Sequence, residues 1–320
     1  MKYVKGQSAA RKALEIAAAG GHNLLMVGIP GSGKTMLARC LPGILPPMTY
    51  EEALETTLIH SAAGEMGEDE GLLTQRPFRA PHHTVSMPAM VGGGLRARPG
   101  EVSLAHNGVL FLDELPEFSR PTLEALRQPL ENGSVTISRV NAHTVYPPQF
   151  QLVAAMNPCR CGHLGNHELE CSRAPHCAEE YQSKISGPLM DRIDIHIEVP
   201  AVSPWDLADV RQGESSADIL KRVVRAREIQ AERFKRFGAP RLKTNSELKG
   251  ELLEKIAELD NDAQALLIAF SEKNHLSARA YHRTLRLART IADLQNVQKI
   301  LKLHIAEALS YRRIMPLKRI

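Results

Sequence analysis

The sequence predicts an α/β fold: a parallel sheet flanked by helices, followed by a C-terminal all-helical region. Three observations carry this. Short apolar runs at residues 24–27, 109–112 and 151–156 alternate with longer helix-forming segments, the mark of a parallel sheet with crossover helices. A glycine-rich octapeptide, Gly28-Ile29-Pro30-Gly31-Ser32-Gly33-Lys34-Thr35, stands between the first run and a helix. Beyond Pro200 the apolar residues recur at helical spacing almost to the end.

The elements follow in order. Residues 8–19 form an Ala-rich helix leading into the first strand, which ends at Val27. Met36 to Leu41 start the helix behind the octapeptide, Pro42 to Pro47 break the chain, and residues 50–60 suggest a short helix. Residues 64–100 are rich in Gly, Pro, Arg and His. They predict a long loop region, and long loops inside compact domains are usually functional. Val109 to Leu112 are a second strand, 121–131 a helix, and 135–139 with 143–146 a β-hairpin. Gln151 to Met156 are a third strand. Ile193, Ile195, Ile197 and Val199 alternate along a fourth. The expected organisation is a core over 1–200 with a Cys-rich insert at 159–177, a linker over 201–215 and a helical lid over 216–320. Leu220, Val223, Val224 and Ile229 mark the apolar side of one lid helix; Tyr281, Leu285, Ala288, Ile291 and Leu294 mark another.

Composition narrows the function classes. A chain of 320 residues that is 43% hydrophobic can bury a sizeable core in about two domains. Aromatics make up only 4%, which disfavours base stacking as the main grip on a ligand. The net charge of +4 is compatible with nucleic acid and is weak evidence for it. No apolar run approaches membrane-spanning length and the first residues lack a signal-peptide core, so a cytoplasmic protein with no membrane partner is expected. Cysteines in that compartment are not expected to form structural disulfides.

The octapeptide carries the first chemistry. It fits G-x-x-x-x-G-K-[ST] at every fixed position and lies between a strand and a helix N-terminus. Backbone N–H groups there point at phosphate. Gly28, Pro30, Gly31, Ser32 and Gly33 would form the cradle, Lys34 would reach the β/γ-phosphates and Thr35 would hold Mg²⁺. The fuel is therefore ATP with Mg²⁺. Asp113-Glu114 close the second strand. Asp113 would order Mg²⁺ and Glu114 would polarise the attacking water. Asn157 ends the third strand, where an amide can position water against the γ-phosphate.

Two arginines stand apart from the octapeptide. Arg192 precedes the fourth strand and is a candidate finger for the γ-phosphate on a neighbouring subunit; the structural alternative is a bridge to Asp191 or Asp194. Arg279 opens a lid helix and shares a face with Arg283 and Arg286, positioned to fold onto ATP or simply to be solvated. Cys159, Cys161, Cys171 and Cys177 fall within 19 residues, together with His163, His167 and His176. Four thiolates at that density suggest a structural Zn²⁺ site, although C-x-C is not the common knuckle spacing and a histidine could replace one cysteine. Cys40 reads as a small buried hydrophobe.

Pro77 to His83, Val91 to Gly94, Pro99 to Glu114, Met156 to Cys159, Ile185 to Asp194, Ser277 to Tyr281 and Ala288 to Leu294 together resemble the magnesium-chelatase-related AAA+ ATPases, most closely their ComM (YifB-like) branch. The resemblance runs from about Val4 to Arg312. It implies a hexameric ring with ATP between subunits, Arg192 acting in trans and Arg279 as the lid sensor. The branch is associated with ATP-driven branch migration of DNA in natural transformation, which makes single-stranded or branched DNA the implied partner. By analogy, residues 78–94 and the hairpin at 135–146 would face the pore, with Arg79, His82, His83, Arg96, Arg98 and Arg139 as phosphate contacts or as solvated loop charges. A chelatase-like or chaperone-like ATPase acting on a protein is the alternative. Members of the branch carry a Lon-like domain ahead of the ATPase module; here Gly28 stands 27 residues after Met1. The expectation is a module without that domain, as a fragment or a shortened paralogue.

Overall fold

The structure, a computed structural model, describes residues 1–67, 71–93, 98–133, 135–139, 142–146, 148–162, 164, 172–203, 205–206 and 213–312, with 132, 135–139 and 142–146 described by backbone alone. Five parallel strands form the central sheet in the order β2-β5-β8-β1-β9. They are β1 (Leu24–Val27), β2 (Phe78–Arg79), β5 (Val109–Leu112), β8 (Gln151–Met156) and β9 (Ile195–Glu198). β1, β5 and β8 are buried along their whole length, as expected of strands covered on both faces. Parallel pairing aligns Leu24 with Val153 and with Ile195, so the C-terminal ends of β1 and β8 lie side by side.

Helix α1 (Ser8–Gly20) buries its alanines on one face of the sheet. The P-loop helix α2 (Lys34–Cys40) follows β1, and α3 (Tyr50–Ala63) starts with a full capping box between Thr49 and Glu52. Two antiparallel ribbons stand apart from the central sheet. One pairs β3 (Gly92–Gly93) with β4 (Arg98–Pro99), and the other pairs β6 (Val135–Arg139) with β7 (Ala142–Tyr146). The C-terminal part is helical: α10 (Ser216–Arg236), α11 (Gly250–Ile256), α12 (Asn261–Asn274), α13 (Ala278–Leu294) and α14 (Lys302–Ser310). Its apolar residues join those of α1 and the sheet in one cluster that includes Leu24, Ile195, Val223, Leu285 and Ile291.

Three local differences from the sequence reading have physical causes. The loop region contains a fifth strand, β2, and a short helix, α4 (Met87–Val91), and a second short helix, α5 (Glu101–Leu104), follows it; each is too short to show a period. The helix expected over 121–131 divides into α6 (Arg120–Ala125) and α7 (Arg127–Asn132). Pro129 explains the break, because it has no N–H to offer the carbonyl of Ala125. The last strand begins at Ile195 rather than Ile193, and α8 (His176–Gln182) and α9 (Gly187–Met190) precede it.

Candidate functional site

The P-loop forms because its glycines permit what other residues resist. Gly33 takes φ +90°, a left-handed conformation that delivers the chain into α2. Gly28 passes so close to β9 that a Cβ there would sit 2.2 Å from the Val199 carbonyl oxygen. The loop is tied in place by Gly28 N–H donating to Met156 O at 3.2 Å, and by buried Gln7, whose amide donates to Ser32 O and Pro200 O.

Lys34 curls back over this loop. Its ammonium donates to Gly28 O and Ile29 O, both at 2.8 Å, and to Asn157 Oδ1 at 3.2 Å. Burial pulls its pKa below the ordinary lysine value, against the opposing pull of Asp113 and Glu114. Thr35 Oγ1 donates to Asp113 Oδ2 at 2.8 Å. Hydroxyl and carboxylate oxygens are the hard donors Mg²⁺ requires, so Thr35 and Asp113 fit the ion that ATP brings. The second oxygen of Asp113 accepts from Glu114 N–H at 2.9 Å. Glu114 itself takes φ +52°, and its half-exposed carboxylate lies 3.3 Å from His83 Nδ1. Lys34, Thr35, Asp113, Glu114 and Asn157 thus converge from three neighbouring strands on one edge of the sheet.

Arg192 and Arg279 converge elsewhere. Asn23, immediately before β1, donates from Nδ2 to Arg192 O at 2.8 Å, which pins Arg192 to the N-terminal edge of the sheet. About 16 Å of extended chain separates Asn23 from Gly28 at ~3.3 Å per residue. Glu131 of α7 binds the Arg192 guanidinium and lies 3.7 Å from Arg279 Nη2. Arg279 therefore sits with Arg192 rather than over the P-loop of its own chain. Both line a cleft of about 1120 Å³ that also takes in Asp191, Arg227 and Lys243.

The carboxylates proposed as alternatives for Arg192 are otherwise engaged. Asp191 meets Arg283 at 3.2 Å, and Asp194 accepts from His22 Nδ1 at 3.2 Å. Arg283, on the lid-helix face expected to be solvated, is buried and donates to Ile193 O at 2.7 Å.

The cysteine loop abuts the P-loop. Cys159, Cys161 and Cys177 bring their sulfurs within 4.8 Å of one another, and Cys159 and Cys161 are 3.1 Å apart. Thiolates around one zinc lie about 3.8 Å apart, from Zn–S bonds of ~2.3 Å. The donor set therefore fits zinc in softness, and its three sulfurs lie close enough together to share one ion. Burial pushes the Cys159 thiol up, and the neighbouring Cys161 adds to the shift. Cys171, His163 and His167 lie outside the described residues; His176 is exposed and meets Glu179. A Cβ on Gly162 would touch Pro30 of the P-loop at 2.7 Å.

The candidate phosphate contacts fall into different settings. Arg79 is engaged within the chain: its guanidinium is held by Glu101 at 2.7 and 2.8 Å and by Glu65 at 2.9 and 3.2 Å. Four such bonds satisfy most of its donors. His83 faces Glu114, and His82 stacks on His83 at 4.0 Å between ring centres while meeting Thr84 Oγ1 at 2.8 Å. Arg98 is exposed and pairs with Gly93 in the β3–β4 ribbon. Arg96 and the Arg139 side chain lie outside the described residues. Sequence reasoning assigned no role to Glu131, and it paired His83 with DNA rather than Glu114. No local motif signals either partnership, since each bridges segments far apart in the chain.

Comparison with known proteins agrees with this geometry. The chain is 49% identical over 315 residues to "Competence protein ComM" of Haemophilus influenzae, covering 98% of this chain and 60% of that protein. It is 48% identical, with the same coverage, to the uncharacterized protein YifB of Salmonella typhimurium. A more distant relative is the "Magnesium-chelatase 67 kDa subunit" of Heliobacterium mobile, 27% identical over 71% of this chain and 37% of that one. The chain thus spans about 60% of the length of its ComM and YifB relatives. The family profile for magnesium chelatase subunit ChlI matches residues 1–207 and that for its C-terminal part matches 213–312. With the P-loop, the acidic strand end and the five-stranded parallel sheet in place, the chain belongs to the magnesium chelatase subunit ChlI family of AAA+ ATPases.

Proposed function

We propose that this chain is the ATP-hydrolysing module of a cytoplasmic, ring-forming motor that acts on DNA. One observation carries the reading: the nucleotide cradle and the arginine pair occupy opposite edges of the same sheet. A single subunit then holds half of each of two sites. Lys34 and the P-loop amides bind the triphosphate, and Thr35 and Asp113 hold Mg²⁺. Glu114 draws a proton from the attacking water while Asn157 orients it. Arg192 and Arg279 of the next subunit neutralise charge developing on the γ-phosphate. A closed ring supplies every site with both halves, and six subunits is the arrangement the family resemblance implies.

The 49% identity to a protein named for competence supports DNA as the substrate. Single-stranded or branched DNA would pass the two ribbons and the segment after β2, where Arg98, Arg96, Arg139, His82 and His83 are candidates for phosphate contact. The cysteine cluster would hold a structural zinc. A chelatase-like or chaperone-like role on a protein partner is the second reading, favoured by the 27% identity to a magnesium-chelatase subunit.

Mixing experiments test the shared site. Lys34→Ala and Arg192→Ala subunits should each be inactive alone, and mixing them should restore turnover at interfaces that pair an intact P-loop with an intact arginine. Mixtures that stay inactive would remove the trans assignment. Turnover stimulated by single-stranded DNA in a salt-dependent way supports the DNA reading; stimulation by neither single-stranded nor branched DNA favours the protein partner.

A further inference from the structure

Glu131 places a carboxylate between the two arginines. Its Oε2 accepts from Arg192 Nη2, and its Oε1 lies 3.7 Å from Arg279 Nη2. The Arg192 side chain is only 9% exposed, whereas Glu131 and Arg279 are each about half exposed, at 50% and 52%. The other terminal nitrogen of Arg192 donates to Pro188 O, and its buried Nε has no hydrogen-bond acceptor among the described residues. Arg192 is therefore held in one pose by a group that itself stands in water.

That asymmetry decides what the contact can do. A bridge to a solvated carboxylate is weak, because water and salt screen it. A triphosphate offers more charge and more acceptor oxygens, and it binds guanidinium in charge-assisted, bidentate fashion. Exchanging Glu131 for phosphate leaves the carboxylate in solvent, so no buried charge is stranded. The geometry points to Glu131 as a positioning residue: a displaceable carboxylate that parks Arg192 and Arg279 and yields them to the triphosphate of the adjoining subunit. It rests on the trans reading of the arginines. Glu131 thus competes with ATP for the finger and weakens nucleotide binding at the shared site. Its removal tightens that binding without touching the P-loop.

The test compares wild type, Glu131→Gln, Arg192→Ala and the double variant, all as assembled full chains. Affinity is read with a fluorescent ATP analogue and turnover by phosphate release. Glu131→Gln should lower the nucleotide Kd about 3- to 10-fold and retain turnover, while Glu131→Asp restores the wild-type Kd. In the Arg192→Ala background the same change should shift Kd less than about twofold, because no finger remains to release. An unchanged or raised Kd in Glu131→Gln overturns the proposal, as does an equal tightening in both backgrounds. Normal turnover in Arg192→Ala defeats the finger reading instead, and the two failures are distinguishable. The isosteric change at a half-exposed position keeps the fold, checked by thermal melting.

Discussion

His83 Nδ1 lies 3.3 Å from Glu114 Oε2, so the segment between β2 and α4 touches the acid that closes β5. Phe118 packs edge-on against the same imidazole at 6.5 Å between ring centres and fixes its position. A carboxylate oxygen turned onto an imidazole is not free to face the attacking water. His83→Ala should therefore release Glu114 and raise kcat for basal ATP hydrolysis by about 3- to 10-fold, a typical share of a general-base effect. The KM for ATP should barely change, because the imidazole does not touch the P-loop. A fall in kcat would show that His83 orients the base rather than restraining it.

The Lys34 contacts separate binding from chemistry. Its ammonium bridges the loop carbonyls and Asn157 Oδ1 at 3.2 Å, so Lys34→Ala removes both the phosphate charge partner and the link to the third strand. Nucleotide binding or turnover should be abolished. Asn157→Ala leaves the ammonium on the P-loop; it should keep ATP affinity within a few-fold and lower kcat by about 10²-fold or more, as loss of a water-positioning or transition-state donor does. Steady-state kinetics alongside a nucleotide-binding titration separates the two effects.

How much of this was legible in the chain follows from how local each signal is. The P-loop, Asp113-Glu114 and Asn157 each end an apolar strand, and four consecutive buried residues announce themselves. β2 has only Phe78 and Arg79, and it exists because Val109 pairs with Phe78. Nothing within two residues could reveal that. Arg79 looked like a phosphate contact because its acidic partners, Glu65 and Glu101, are 14 and 22 residues away. Arg289 offers the same lesson in the helical region. Its guanidinium is fully buried, satisfied by Asp293 Oδ1 at 3.0 Å and by the carbonyls of Val297 and Gln298 at 2.5 Å. A charged residue on an amphipathic helix reads as surface until the chain beyond the helix folds back over it.

The thiol cluster predicts a metal with structural consequences. Cys159 follows Asn157 by two residues, and Gly162 packs under Pro30, so the loop that would hold zinc also buttresses the nucleotide cradle. Purified protein should carry about one zinc per chain, measured by atomic emission. Removing it with a chelator should lower the melting temperature and weaken ATP binding, since structural zinc binding is itself folding energy. Cys159→Ser should reproduce both effects. Metal-free protein with unaltered stability and ATP affinity would rule out a structural zinc.

Asp194 gives a pH signature at the opposite edge of the sheet. Its side chain is 10% exposed and bonds His22 Nδ1 at 3.2 Å, while the buried His22 ring meets Thr290 Oγ1 at 2.8 Å on its other nitrogen. Burial alone would push the Asp194 carboxyl up, but the His22 hydrogen bond, with Arg286 and Arg283 nearby, holds it below the usual carboxylate range. A depressed folded-state pKa means the carboxylate stabilises the fold above the unfolded value of about 3.9. That contribution is lost as pH falls through the lower, folded-state value. Asp194→Asn keeps the shape and removes the charge, so it should destabilise the protein by about 1.5–3 kcal/mol at pH 7, the range for a hydrogen bond to a charged group. The gap from wild type should persist at pH 5 and narrow below about pH 4, where wild type itself takes up the proton. Urea unfolding at several pH values measures it, and a gap that widens toward acid would mean that Asp194 is protonated in the native state.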